Sequence, residues 1–120
     1  MKKIVFGFIL MFSLNVFGEQ ISTINQNGNW INLYNHSGKK YKTLSTSSVG
    51  TLVGYSSNFF ITEHGNWIYL YNSDGRKYKT LSKSSVGNVI GVGGNTFTTI
   101  KGEWIYVYDE SGNKIHTRHK

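Results

Sequence analysis

The chain has 120 residues, 38% apolar and 16% charged, which predicts one folded domain and excludes a disordered chain. It has no Cys and no Pro, so a disulfide framework, a thiolate metal site and a cysteine nucleophile are all excluded. Thirteen basic residues face six acidic ones and four His, a net +7, which is thin material for acid–base or metal chemistry. Binding or scaffolding is therefore expected ahead of catalysis, with no enzyme activity, no metal and no cofactor.

Lys2 and Lys3 precede an apolar run from Ile4 to Val16, and Val16-Phe17-Gly18 offers small or aliphatic residues where a signal peptidase reads. Residues 1–18 are thus expected to be a secretory signal peptide cleaved after Gly18, the run being too short to span a membrane comfortably. Residues 19–120 would then be a single periplasmic or secreted domain without a transmembrane segment. Removing Lys2 and Lys3 leaves 11 basic against 6 acidic side chains, a +5 suited to solubility or to anionic cell-surface polymers, and export makes nucleic acid an unexpected partner.

The dominant feature is self-similarity at a period of 37 residues. Trp30, Trp67 and Trp104 obey it, as do Gly28, Gly65 and Gly102, then Tyr34, Tyr71 and Tyr108, then Lys40, Lys77 and Lys114. The units cover about 21–48, 49–85 and 86–120, without insertions. The third, "GEWIYVYDESGNKIHTRHK", diverges most.

Within the second unit, turn residues separate four strands: A (Leu52 to Tyr55), B (Phe59 to Glu63), C (Trp67 to Tyr71) and D (Lys77 to Leu81). His64-Gly65-Asn66 and Ser73-Asp74-Gly75 supply the positive-φ residues of tight hairpins, so each unit reads as an antiparallel four-stranded meander. Cleavage would remove the first A strand and leave about eleven strands. No helix is predicted. On strand C, Trp67, Tyr69 and Tyr71 share one face while Ile68 and Leu70 share the other. An aromatic and an aliphatic face on one strand imply a sheet packed on both sides, stacked head to tail on its neighbours.

The stretch "VIGVGGNTFTTIKGEWIYVYDESGNKI", from Val89 to Ile115, resembles the four-stranded blade of quinoprotein-type β-propellers. That resemblance implies an all-β, propeller-like domain. Propellers usually have four or more blades, so it also implies homo-oligomeric assembly, as in the small oligomeric lectin propellers. The same threefold repetition is compatible with a β-trefoil or a β-prism. The mannose motif of prism lectins is not met around Asn66, where Thr62, His64 and Leu70 occupy its Gln, Asp and Tyr positions. "GNWIYLYNSDGRK" is also similar to the hairpin of choline-binding repeats, which recur at a shorter period.

Trp30, Trp67 and Trp104 would stack on sugar rings if exposed, although their place on the most apolar strand favours a core role. Ser47, Ser48, Ser84 and Ser85 lie in the inter-unit segments "TLSTSSVG" and "TLSKSSVG", whose clustered hydroxyls would either bind a polar ligand at a rim or satisfy loop backbone. Lys39, Lys40, Lys42, Arg76, Lys77 and Lys79 form a basic stripe, read either as an anionic-polymer site or as protection of an edge strand. His36 and His64 have no counterparts in the other units, and His116 and His119 should face opposite ways. The expectation is an exported module that binds a glycan or cell-envelope polymer; the alternative is a protein-interaction or structural module without a small ligand.

Overall fold

The computed structural model describes residues 19–120, so the expected signal peptide lies outside the described residues. The rest is all-β, arranged as three antiparallel sheets in chain order. The first holds β1 (Thr23–Asn27), β2 (Trp30–Tyr34) and β3 (Lys40–Ser45). The second holds β4 (Thr51–Tyr55), β5 (Phe59–His64), β6 (Trp67–Asn72) and β7 (Lys77–Ser82). The third holds β8 (Asn88–Gly93), β9 (Thr96–Lys101), β10 (Trp104–Asp109) and β11 (Lys114–His119). Every sheet is a simple meander, as two- to five-residue hairpin connections require.

The turn chemistry repeats with the period. At the connection before the last strand of each sheet, the Oδ1 atom of Asn35, Asn72 or Asp109 accepts two backbone N–H bonds, for example from Asp74 and Arg76 at 3.0 and 3.1 Å. A short polar side chain thereby satisfies loop donors that would otherwise be left to solvent. One expectation is corrected: α1 (Thr46–Val49) and α2 (Lys83–Val86) are single helical turns between the sheets. Ser45 caps α1, its hydroxyl accepting the Ser47 N–H. Four residues rich in Ser and Thr are too few to show helical periodicity in a sequence.

Two cores lie between consecutive sheets. In the first, Ile24, Ile31 and Leu33 of sheet one meet Phe60, Tyr69 and Tyr71 of sheet two. In the second, the equivalent Ile61, Ile68 and Leu70 of sheet two meet Phe97, Tyr106 and Tyr108 of sheet three. The aliphatic face of each sheet thus receives the aromatic face of the next, as the alternation on strand C predicts. The cross-strand pairs Phe60–Tyr71 and Phe97–Tyr108 stack at 4.9 and 5.1 Å with rings nearly parallel, a fixed geometry that adds to plain area burial. A β-trefoil or β-prism would close a third core between sheets three and one; among the described residues the cores join only neighbours in the series.

Side chains that reach across the gap fix the stacking. Thr62 and Thr99, both fully buried, donate to the carbonyl oxygens of Val49 and Val86, tying each helical turn to the sheet that follows it. The Tyr41 hydroxyl donates to Ser73 O at 2.7 Å, and Tyr78 donates likewise to Glu110 O. Burial first, with nearby carboxylates second, pushes both phenols up to about 12. The backbone enters these joints closely. Gly87 has φ +94°, and a Cβ there would collide with the carbonyl oxygen of Ile100.

The end faces differ. On the outer face of sheet one, Thr23 and Asn32 stand where sheets two and three carry Phe60 or Phe97 and Tyr69 or Tyr106. Polar substitution at the unit that ends the described residues is how a stack of repeats presents a face to water. The opposite end is apolar, with Ile90 and Ile115 more than half exposed and Ile105 and Val107 half-buried.

Candidate functional site

Tryptophan is the residue that sequence position alone misplaces. Trp30, Trp67 and Trp104 are 55%, 48% and 46% exposed, so they are not core. Along β6 burial deepens from exposed Trp67 through half-buried Tyr69 to buried Tyr71, because the preceding sheet covers only the far part of the strand. The first residue after the hairpin turn lies beyond that cover. The result is an indole at the same end of the same strand in every sheet, and stacked sheets lie roughly 10 Å apart.

The serines lie at this same end. Trp30 pairs with Ser45 and Trp67 with Ser82, the residues from which α1 and α2 begin. Thr46 N donates to Asn29 O and Lys83 N to Asn66 O, both at 2.9 Å, which fastens each helical turn beside its Trp hairpin. Of the four candidate serines, Ser47 and Ser84 are exposed but bond to the Ser45 and Ser82 hydroxyls at 2.7 and 2.6 Å. Ser48 and Ser85 are exposed as well, and Lys101 Nζ donates to Ser85 O at 3.3 Å. One rim therefore gathers indoles, hydroxyls and amide side chains such as Asn66, whose Nδ2 donates to Ser82 Oγ.

A cleft of about 390 Å³ opens at the first of these indoles, lined by Asn27, Trp30, Asn32, Lys40 and Thr43. Thr43 Oγ1 donates to Asn32 Oδ1 at 3.1 Å and Asn32 Nδ2 to Asn25 Oδ1 at 3.3 Å, which holds the Asn32 amide in one orientation. Of the lining residues, sequence reasoning singled out Trp30 as a binding candidate and Lys40 only within the basic stripe. Thr43 belongs to the segment "TLSTSSVG", whereas Asn27 and Asn32 carry no motif, although Asn32 departs visibly from the Tyr of the other two units.

Part of the basic stripe, Lys42, Lys77 and Lys79, has structural employment. The Lys42 and Lys79 stems lie against Gly75 and Gly112 of the next sheet, and the Lys77 and Lys114 ammonium groups sit 4.1 and 4.3 Å from the Tyr69 and Tyr106 ring centres. Lys83 also pairs with Glu63 at 3.3 Å, near the surface. His119 meets the Trp104 ring edge-on at 5.0 Å, while His116 pairs with Val107 on the other face, so the two His do point apart. Among the described residues no three His, Asp or Glu side chains gather as a metal site, and no helix is long and apolar enough to cross a membrane.

No protein-family model and no curated protein matches this chain.

Proposed function

We propose that the protein is an exported binding module for a glycan or cell-envelope polymer, built from propeller-like blades and holding its ligand along the tryptophan rim. The observation that carries this reading is the row of three half-exposed indoles at equivalent positions, those of Trp30 and Trp67 lying beside a hairpin Asn and a Ser-rich helical turn. An exposed indole costs hydrophobic free energy in water, and a sugar ring laid on its face recovers it while neighbouring polar groups take the ring hydroxyls. Repetition supplies several weak contacts on one rigid body, so a polymer gains avidity that a single sugar lacks. Signal-directed export, read from residues 1–18, would place the module where such polymers occur.

The test is binding of the purified exported protein to arrayed glycans and insoluble envelope polysaccharides, with and without Trp67→Ala. Sugar-inhibitable retention that falls with Trp67→Ala, while the circular dichroism stays unchanged, supports the reading. Retention that no sugar competes for removes it.

A second reading, a protein-interaction or structural module, is favoured by the exposed Ile90 and Ile115 on the open face of sheet three. In sheets one and two that face lies under the next sheet. The polar outer face of sheet one is a poor match for it, so self-association would join two third sheets rather than close a head-to-tail ring. The solution mass by light scattering, with Ile105→Lys as comparison, distinguishes a pairing face from a bare one.

A further inference from the structure

Lys40 differs from its two equivalents in a way that the tryptophan row does not reveal. Lys77 and Lys114 each rest on a tyrosine ring, whereas Asn32 stands where sheets two and three carry those tyrosines, and Lys40, paired with Tyr34 on β2, lines the cleft beside Trp30. Asn32 is held by Thr43 and Asn25, and Asn27 lines the same cleft. An aromatic platform, oriented amides and one cation therefore meet at the outermost face of the stack, which no further sheet covers among the described residues. Lys40 is the only charged group among the lining residues, so a ligand with one negative charge matches it, where a dianion would look for more donors.

The geometry points to a terminal subsite for an acidic sugar, in which Trp30 stacks on the ring of a uronic residue and Lys40 pairs with its carboxylate. It rests on the glycan reading above and adds the charge of the sugar and the place where the chain ends. Trp67 and Trp104 then take neutral stretches of the same polymer, because Lys77 and Lys114, the equivalents of Lys40, are engaged with Tyr69 and Tyr106, while Lys83 pairs with Glu63 and Lys101 donates to Ser85 O.

The experiment is isothermal titration of the exported protein with a panel of uronate-containing oligosaccharides and their carboxyl-reduced neutral counterparts, at low ionic strength. The acidic member should bind about fivefold more tightly, the size of one exposed charge pair. Lys40→Gln should abolish that preference. Asn32→Tyr, which restores the residue of the other two units, should do the same by capturing Lys40 on its ring. Lys77→Gln should leave the preference intact. Equal binding of acidic and neutral members by the unaltered protein, or an equal effect of Lys40→Gln and Lys77→Gln, overturns the acidic subsite while the glycan reading stands. Failure of both members to bind, with Trp67→Ala equally silent on polysaccharide arrays, overturns both.

Discussion

Tryptophan and leucine three residues apart on one strand carry opposite duties. Trp67 is half-exposed at the rim, whereas Leu70 is fully buried between sheets two and three. Leu70→Ala should cost about 2–5 kcal/mol through lost transfer and a cavity, and Trp67→Ala less than about 1 kcal/mol; chemical denaturation of both variants measures the contrast. Gly87 is constrained differently, since its φ of +94° and the Ile100 carbonyl leave no room for a methyl group. Gly87→Ala should lower the unfolding midpoint more than any surface substitution, with Gly94→Ala as the control, because a Cβ on Gly94 meets no neighbour despite its positive φ. The invariance of Gly50 and Gly87 across units was visible in the sequence. Its reason was not, because a carbonyl on the adjacent strand, Glu63 or Ile100, is invisible to local pattern.

At the scale of elements, the strands were legible to within a residue or two because apolar alternation, Gly-containing hairpins and the 37-residue period all agree. The helical turns were not, being too short for any periodicity, although Ser45 and Ser82 ahead of them are residues that favour helix starts. These turns matter because they hold the rim together. Two joints between sheets, Tyr41 to Ser73 and Tyr78 to Glu110, also set a pH limit. Each phenol titrates near 10 when unfolded and near 12 when folded, so the folded state holds its proton more tightly. That contribution is complete below about pH 10 and is lost as pH rises from 10 to 12. Tyr78→Phe should flatten the fall in thermal midpoint over that interval, which calorimetry at pH 9, 10 and 11 would show, and an unchanged slope would contradict the assignment.

At the scale of the molecule, the sequence predicted a head-to-tail stack from the unlike faces of strand C, and the two inter-sheet cores follow that order. Which faces end the stack could not be read from one unit, since the outer role of Asn32 shows only when the units are aligned and their neighbours known. The tryptophans failed for the same reason: an apolar strand predicts burial on average, while cover depends on how far the adjacent sheet extends. Because each core joins only two sheets, damage should stay local. Leu33→Ala should weaken the first core and Leu70→Ala the second, and hydrogen exchange should show each loss of protection confined to the sheets on either side.

The central claim, that the tryptophans serve a ligand and not the core, is most directly tested by their own fluorescence. The protein should emit as solvent-exposed indole, be readily quenched by acrylamide, and shift to the blue with loss of quenching when an envelope polysaccharide is added. Emission typical of buried indole in the free protein, or a spectrum that no polysaccharide alters, would contradict it.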